Sequence, residues 1–335
     1  MKNKRIIVVG ATGRVGREIL SILLENNVPI SHIECAASAK SDGIKIQYGD
    51  DFLVVRAIDK IDFSKYNIGL FSAGSEVSRK YAPIAAKLGC IVIDNTSYFR
   101  MHDDVPLIVP EINLASCKNH KNIIANPNCS TIQMVMVLKP LHDTFGGLSE
   151  VVVSSYQSVS GAGQKGIEEL LQQTMNIINN NSERIEINTF KKQIAFNLIP
   201  QIDSFTDSLY TKEELKMMDE TKKILGLDNV DITATCVRVP VLVSHSVSVF
   251  AKFEKNVNLN IAIDSLKNFP GIKIMDNTEN YIYTTPIDAV SKNDVYVSRI
   301  RKHPRIDNSI SFWCVSDNLR KGAALNAVQI AKKLK

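Results

Sequence analysis

Arg5-Ile6-Ile7-Val8-Val9-Gly10-Ala11-Thr12-Gly13-Arg14-Val15-Gly16-Arg17-Glu18-Ile19-Leu20-Ser21-Ile22-Leu23-Leu24-Glu25-Asn26 gives a strand, a glycine turn and a helix in immediate succession. Arg5–Val9 is a short continuous apolar run, as in a buried strand, and Val15–Asn26 carries apolar residues at helical spacing. Gly10, Gly13 and Gly16 fall between the two as G-x-x-G-x-x-G. Glycines there permit a tight turn and let the backbone approach a pyrophosphate, while the helix N-terminus offers N–H groups and a positive dipole end. Gly10, Thr12, Gly13, Arg14, Val15 and Gly16 are therefore candidate dinucleotide-binding residues.

The same alternation continues outward. Ile33–Ala37, Ile68–Ser72 and Ile91–Asp94 read as further strands, with helical spacing over Ser75–Leu88. Repeated β-α-β order predicts a parallel sheet covered by helices. The second strand runs out through Ala36-Ala37-Ser38-Ala39-Lys40-Ser41, and the nearest acid, Glu34, sits earlier, within the strand. NAD enzymes commonly place an acid at that strand end for the ribose 2′-hydroxyl. Hydroxyls and a cation instead suit a 2′-phosphate, so Ser38, Lys40 and Ser41 favour NADP.

After Gly146-Gly147 the texture changes. Val151–Ser158, Asp231–Val239, Ser246–Phe253, Val295–Ile300 and Ile310–Val315 are β-branched and partly alternating, which predicts a mainly antiparallel sheet with one face packed. Ile167–Ile178 and Glu213–Leu225 read as helices on it, Asn179–Glu183 as a polar loop, and Gly322–Leu334 as a closing amphipathic helix. The expected fold is α/β: a Rossmann-type dinucleotide-binding domain over residues 1–128 plus 319–335, and an α+β catalytic and dimerisation domain over 129–318. A chain of 335 residues exceeds what one core usually organises.

Apolar residues make up 44% and charged residues 22%, the balance of an ordinary globular protein. The net charge of +5 is small and dispersed, which argues against a nucleic-acid partner. The apolar run at the N-terminus meets glycine after Val9, and no stretch reaches the roughly 18–20 apolar residues of a membrane span. A cytoplasmic protein is expected. Cys35, Cys90, Cys117, Cys236 and Cys314 are dispersed without C-x-x-C or zinc-ligand spacing, so they read as buried hydrophobes, and no metal is expected.

The sixth cysteine differs. Ile123-Ile124-Ala125-Asn126-Pro127-Asn128-Cys129-Ser130-Thr131 precedes a helical run over Ile132–Leu138. Cys129 thus lies at or just before a helix N-terminus, where the dipole and unpaired N–H groups favour the nucleophilic thiolate.

With N-P-N-C-S-T stand G-A-T-G-x-V-G, D-N-T-S-Y-F-R-M, V-P-E-I-N, S-V-S-G-A-G, Q-I-A-F-N-L-I-P-Q-I-D, E-E-L-K, C-V-R-V-P-V-L-V-S-H-S and D-N-L-R-K-G-A-A-L-N. This ordered series resembles the aspartate-semialdehyde dehydrogenases along the whole chain. The resemblance makes Cys129 the acyl-thioester nucleophile, His245 the general acid/base and Gln157 the residue orienting substrate near the sulfur. It assigns the substrate carboxylate to Arg238, the amino group to Glu213, phosphate to Arg100 and Lys216, and places Asn128 beside the nucleophile in the substrate site. Ser160, Gly161 and Asn318 resemble contacts around a nicotinamide. Arg238 and His245 lie on the end of one strand and the start of the next, so a hairpin-like connection would bring them together. Glu213 and Lys216, three apart, share a helix face.

The resemblance implies the reversible NADPH-dependent conversion of 4-phospho-L-aspartate to L-aspartate-4-semialdehyde and phosphate by a homodimer. Two departures stand out: Lys40 replaces the family's usual arginine, and Ser72-Ala73-Gly74-Ser75 lacks the second glycine of the usual S-A-G-G-S. Two other readings compete with this one. N-acetyl-γ-glutamyl-phosphate reductases typically surround their cysteine with P-G-C-Y-P, unlike this chain. A non-catalytic paralogue acting as a binding protein would be expected to have lost the nucleophile or base.

Overall fold

β1 (Ile6–Val9) is buried at every position, as an unbroken apolar run requires of a central parallel strand. Around it lie β2 (Ile33–Ala37), β3 (Lys45–Tyr48), β4 (Asp51–Ala57), β5 (Ile68–Phe71), β6 (Ile91–Asp94) and β7 (Ile123–Ala125), in the spatial order β3-β4-β2-β1-β5-β6-β7. Every neighbouring pair is parallel except β3–β4 at the edge. The chain leaves β1 first towards β2 and later returns to β5 on its other side. The end of β1 is thus the topological switch point where open α/β sheets bind ligands. The computed structural model describes Met1 and residues 4–334, and the chain divides into a first unit, Met1–Asn128 with Ala323–Lys335, and a second, Cys129–Gly322.

In the first unit, Ile19, Leu20, Ile22 and Leu23 of the Arg14–Glu25 helix bury one stripe against the sheet core. Ala327, Val328, Ile330 and Ala331 of the closing helix enter the same core. That helix spans Leu325–Lys333 and follows a π-helical turn over Arg320–Ala324, so the expected single helix from Gly322 is divided.

The second unit holds β8 (Leu148–Gln157), β9 (Asp231–Arg238), β10 (His245–Phe253), β11 (Ile272–Ile274), β12 (Val295–His303) and β13 (Ile306–Ser316), ordered β11-β12-β13-β10-β8-β9. Its sheet is mixed. The pairs β12–β13, β13–β10 and β10–β8 are antiparallel, whereas β11–β12 and β8–β9 are parallel. The helix Cys129–Thr144 buries Met134, Val135, Met136, Val137 and Leu138 in succession, so it is enclosed on all sides. Its Gln133 Oε1 accepts from Ser316 Oγ at 2.7 Å, fixing it to the inner sheet face. The helix Lys212–Leu225 begins at a capping box, in which Thr211 and Glu214 satisfy each other's backbone N–H groups, and ends at Gly226 in the left-handed region.

Candidate active site

Three predicted site residues stand in one row across the second sheet. Gln157 ends β8, Arg238 ends β9 and His245 opens β10; the register pairs Gln157 with both Arg238 and His245. Directly paired residues project from the same face, so the three polar side chains converge. The hairpin-like connection expected between Arg238 and His245 is not what joins them, because β8 lies between β9 and β10. A parallel β8–β9 pair is a long-range crossover, whose partner choice no local signal reveals.

His245 is fully buried. Its Nδ1 accepts from the Ser158 backbone N–H at 3.0 Å and lies 3.1 Å from Ser158 Oγ. Its Nε2 is buried with no hydrogen-bond partner among the described residues. Burial first, and then the Arg238 cation, lower the imidazole from 6.5 to about 3, opposed by Glu213 and the Ser244 backbone. The loop is pinned from both sides: Asn318 Oδ1 accepts from Ser244 N–H at 2.9 Å and from Ser160 Oγ at 3.1 Å. The predicted cofactor contacts Ser160 and Asn318 are thus buried partners of each other.

Gly161 is the gap in this wall. A β-carbon there would stand 2.8 Å from Arg238 Nη1 and 3.1 Å from His245 Nε2. Arg238, 6% exposed, donates from Nη1 to the Ser158 carbonyl at 2.7 Å. Burial lowers its pKa, opposed by Glu213 and then by Cys129. Its guanidinium lies over the Phe190 ring and lines a cavity of about 450 Å³ together with Lys191, Gln201 and Asp203.

Gln157 Nε2 donates to Glu213 Oε1 at 3.0 Å. Lys216 Nζ meets Glu213 Oε2 at 3.3 Å and Asp203 Oδ2 at 2.9 Å. With its side chain 7% exposed, Glu213 is part of a buried network rather than a surface pair. Cys129 is the first residue of its helix and is half-buried, whereas the other five cysteines are buried. Charge stabilisation is reciprocal, so the Arg238 cation that Cys129 stabilises in turn favours negative charge on the sulfur, as does the helix N-terminus.

The first unit carries the remaining residues. Gly10 has φ +86, and a β-carbon there would meet the Ser72 backbone at 2.7 Å. A β-carbon on Gly16 would lie 2.2 Å from the Gly10 carbonyl oxygen. Glycine is required at both, and the chain turns under the N-terminus of the Arg14–Glu25 helix, which has no side-chain cap and no acid in its first turn. Thr12, Arg14 and Val15 flank this opening. Ser38, Lys40 and Ser41 lie in and before the short turn Ala39–Ser41. Glu34 is taken by Arg56 at 2.9 Å and by the Tyr66 hydroxyl, and Asp42 by Lys60 at 2.7 Å. Arg100 is buried and donates to the Asn126 and Asn95 carbonyls at 2.9 and 2.8 Å; Asn128 is buried near the unit's end.

The family model described as semialdehyde dehydrogenase, NAD binding domain, matches residues 5–120, and that described as semialdehyde dehydrogenase, dimerisation domain, matches residues 138–321. The aspartate-semialdehyde dehydrogenase of Bacillus subtilis is 46% identical, covering 98% of this chain and 97% of its own. That of Aquifex aeolicus is 47% identical at the same coverages. A crystal structure of aspartate semialdehyde dehydrogenase II from Vibrio cholerae, complexed with ASA, superimposes with a TM-score of 0.94 at 43% identity, covering 99% of this chain and 98% of that one. The chain belongs to the aspartate-semialdehyde dehydrogenase family.

As an aspartate-semialdehyde dehydrogenase family member, the chain is an oxidoreductase with a nicotinamide-dinucleotide-binding domain. Three residues beside the predicted set went unassigned in the sequence. Ser158 holds the imidazole. Asp203, with φ +69 and held by Lys216 and by the Ser204 N–H, was visible only as the last letter of P-Q-I-D. Gly322 lets the backbone approach Cys129, since a β-carbon there would lie 2.8 Å from Cys129 Cβ. Among the described residues no group of acids, histidines and cysteines is placed to hold a metal, and no helix is long and apolar enough to cross a membrane.

Proposed function

We propose that this protein interconverts 4-phospho-L-aspartate and L-aspartate-4-semialdehyde through a thioester on Cys129, using NADP(H). The observation that carries this reading is the buried row Arg238–Gln157–His245, with Cys129 at a helix N-terminus electrostatically coupled to Arg238. Arg238 offers a planar fork to the substrate carboxylate, and Glu213 a carboxylate to its amino group. Gln157, fixed by Glu213, orients the reacting carbonyl. Arg100, Lys216 and Asn128 serve the phosphate and the acyl group in the roles that the resemblance gives them.

In the biosynthetic direction the Cys129 thiolate attacks the acyl phosphate carbon, and phosphate departs with the bonding pair. The dinucleotide, when bound, supplies the hydride that reduces the thioester carbon. His245 serves the substrate oxygen from Nε2, in the general acid/base position, and Cys129 leaves as the thiolate when the aldehyde forms. The residues present fit a dinucleotide: the Gly10 cradle has no room for a side chain, and the helix above it is uncapped. The finer assignment to NADP rests on the turn after β2, where both nearby acids are already paired and Lys40 is exposed. Ser160, Gly161 and Asn318 serve the nicotinamide in the role that the resemblance gives them.

This reading places the protein in the cytoplasm, as a homodimer, in the biosynthesis of lysine, threonine, methionine and diaminopimelate. The dimer is supported by the family description of residues 138–321. The test is phosphate-dependent NADP⁺ reduction followed at 340 nm in about 0.1 M salt, with aspartate semialdehyde set beside its N-acetylglutamate counterpart. Turnover with the first alone is expected. Preference for the second would assign the chain to the N-acetyl-γ-glutamyl-phosphate reductases, and turnover of neither to a binding role.

A further inference from the structure

We propose that Gln173, with Glu169 one turn before it, is a positioning residue for the substrate carboxylate: from the helix Gln164–Ile178 the two side chains fix the stretch of chain that holds Arg238 in place. The inference rests on the reading of Arg238 given above and deepens it.

Residues 186–199 form an irregular connection that meets Arg238 twice. Ile199 exchanges main-chain hydrogen bonds with Arg238 in both directions, at 2.8 and 3.0 Å, which adds a short antiparallel bridge at the end of β9. Phe190 lays its ring beneath the guanidinium, with Arg238 Cζ 5.9 Å from the ring centroid, where a planar cation is attracted to the aromatic face. The far edge of that ring meets the helix: a β-carbon on Gly166 would stand 3.1 Å from Phe190 Cζ. The path of this connection therefore sets both the main chain and the fork of Arg238.

A stretch without helix or strand must satisfy its buried main-chain groups elsewhere. Gln173 supplies the partners. Its Oε1 accepts from the Ile194 and Ala195 N–H groups at 2.9 and 3.1 Å, and its Nε2 donates to the Glu186 carbonyl at 2.8 Å and to Glu169 Oε1 at 3.3 Å. Both lone pairs and both N–H bonds of the amide are thus engaged, so no shorter, charged or apolar side chain reproduces the set. Glu169 Oε2 accepts from the Thr189 N–H. Phe190 therefore sits between two anchored points, Thr189 and Ile194, and both anchoring side chains are buried. Ile194, Ala195 and Ile199 complete the hold by packing with Val159, Ile167 and Leu170. Gln173 and Glu169 act at one remove: they grip the connection, and the connection grips Arg238. A merely structural clamp would cost every substrate alike, whereas a clamp on Arg238 costs only a substrate with a carboxylate to hold.

The test sets aspartate semialdehyde beside 3-aminopropanal, the same amino aldehyde without the carboxylate. Each is followed by NADPH formation on the full chain, with enzyme in excess so that the slower reaction is measurable. In Gln173→Leu the wild-type preference for aspartate semialdehyde, taken as the ratio of the two kcat/KM values, should fall on the order of tenfold, against the roughly hundredfold that a misplacement of about 1 Å can cost. Both substrates meet the same preparation, so the folded fraction cancels from the ratio. Glu169→Gln keeps the shape of the side chain and loses one acceptor; it should lower the ratio less, and it carries the test if Gln173→Leu does not fold. NADP affinity should stay at the wild-type value in both. An unchanged ratio, with the two aldehydes slowed alike, would overturn the positioning role and leave a structural one. A wild-type protein that used the two aldehydes equally would instead overturn the carboxylate reading of Arg238, and the role of Gln173 with it.

Discussion

Gly161→Ala should separate activity from stability. Gly161 does not have positive φ, so alanine meets no backbone strain there, and losing a glycine from the unfolded chain stabilises by roughly 0.4–1 kcal/mol. The new β-carbon, however, would stand 2.8 Å from Arg238 Nη1, 3.1 Å from His245 Nε2 and 3.2 Å from His245 Cε1. Ordinary contact lies near 3.5–4.0 Å, so the two side chains must retreat by about 0.5–1 Å. Arg238 cannot simply swing away, because it is buried and tied to the Ser158 carbonyl at 2.7 Å. Misplacing reacting groups by about 1 Å can cost about a hundredfold, so kcat/KM should fall roughly ten- to a hundredfold, or about 1.4–2.7 kcal/mol. Urea unfolding, read beside steady-state kinetics, should show stability within about 1 kcal/mol of wild type. Undiminished kcat/KM, or a loss that merely tracks the unfolded fraction, would refute this account of the gap.

Arg238→Lys should lose on the order of 2–3 kcal/mol of transition-state binding, roughly a thirty- to hundred-and-sixtyfold fall in kcat/KM, because lysine lacks the fork. NADP affinity measured alone should hardly change, and wild-type kinetics would take Arg238 out of the substrate site. Replacing Lys40 and Ser41 by alanine should raise KM for NADP more than for NAD; a wild-type protein using both nucleotides equally would contradict the reading of that turn. Because His245 is lowered from 6.5 to about 3 in the fold, the unfolded chain binds a proton below pH 6.5 that the folded chain refuses. Stability should therefore drop as the pH is lowered, by up to about 1.4 kcal/mol per unit and by about 1.6 kcal/mol between pH 6.5 and pH 5. His245→Gln should flatten that slope in paired urea titrations, and an unchanged slope would show that His245 is not the group responsible.

What was legible in the sequence was local. A strand, three spaced glycines and an amphipathic stripe define the β1 turn almost unaided, because each feature acts within a few residues. Cys129 at a helix start was readable for the same reason. The β3–β4 hairpin also had a signal that went unread: Ile46, Tyr48, Leu53, Val55 and Ala57 are buried in alternation on either side of the turn at Gly49-Asp50. The row Arg238–Gln157–His245 was not legible from spacing, since β8 and β9 pair across more than seventy residues and no local pattern selects that partner. The resemblance supplied the residues, and the register shows why they converge. Ser158 escaped notice because it acts through its main-chain N–H, which every residue but proline carries.

The most direct test of the account is a single-turnover experiment in the oxidative direction. Protein mixed with aspartate semialdehyde and NADP⁺ without phosphate should form NADPH as a burst of one per chain and stop, with the acyl group recovered by mass spectrometry on Cys129. Added phosphate should then release the acyl group and start steady turnover. Cys129→Ser should give no burst, because a hydroxyl has too little anionic character to replace the thiolate. A burst of the same size in Cys129→Ser, or steady turnover without phosphate, would contradict the thioester mechanism.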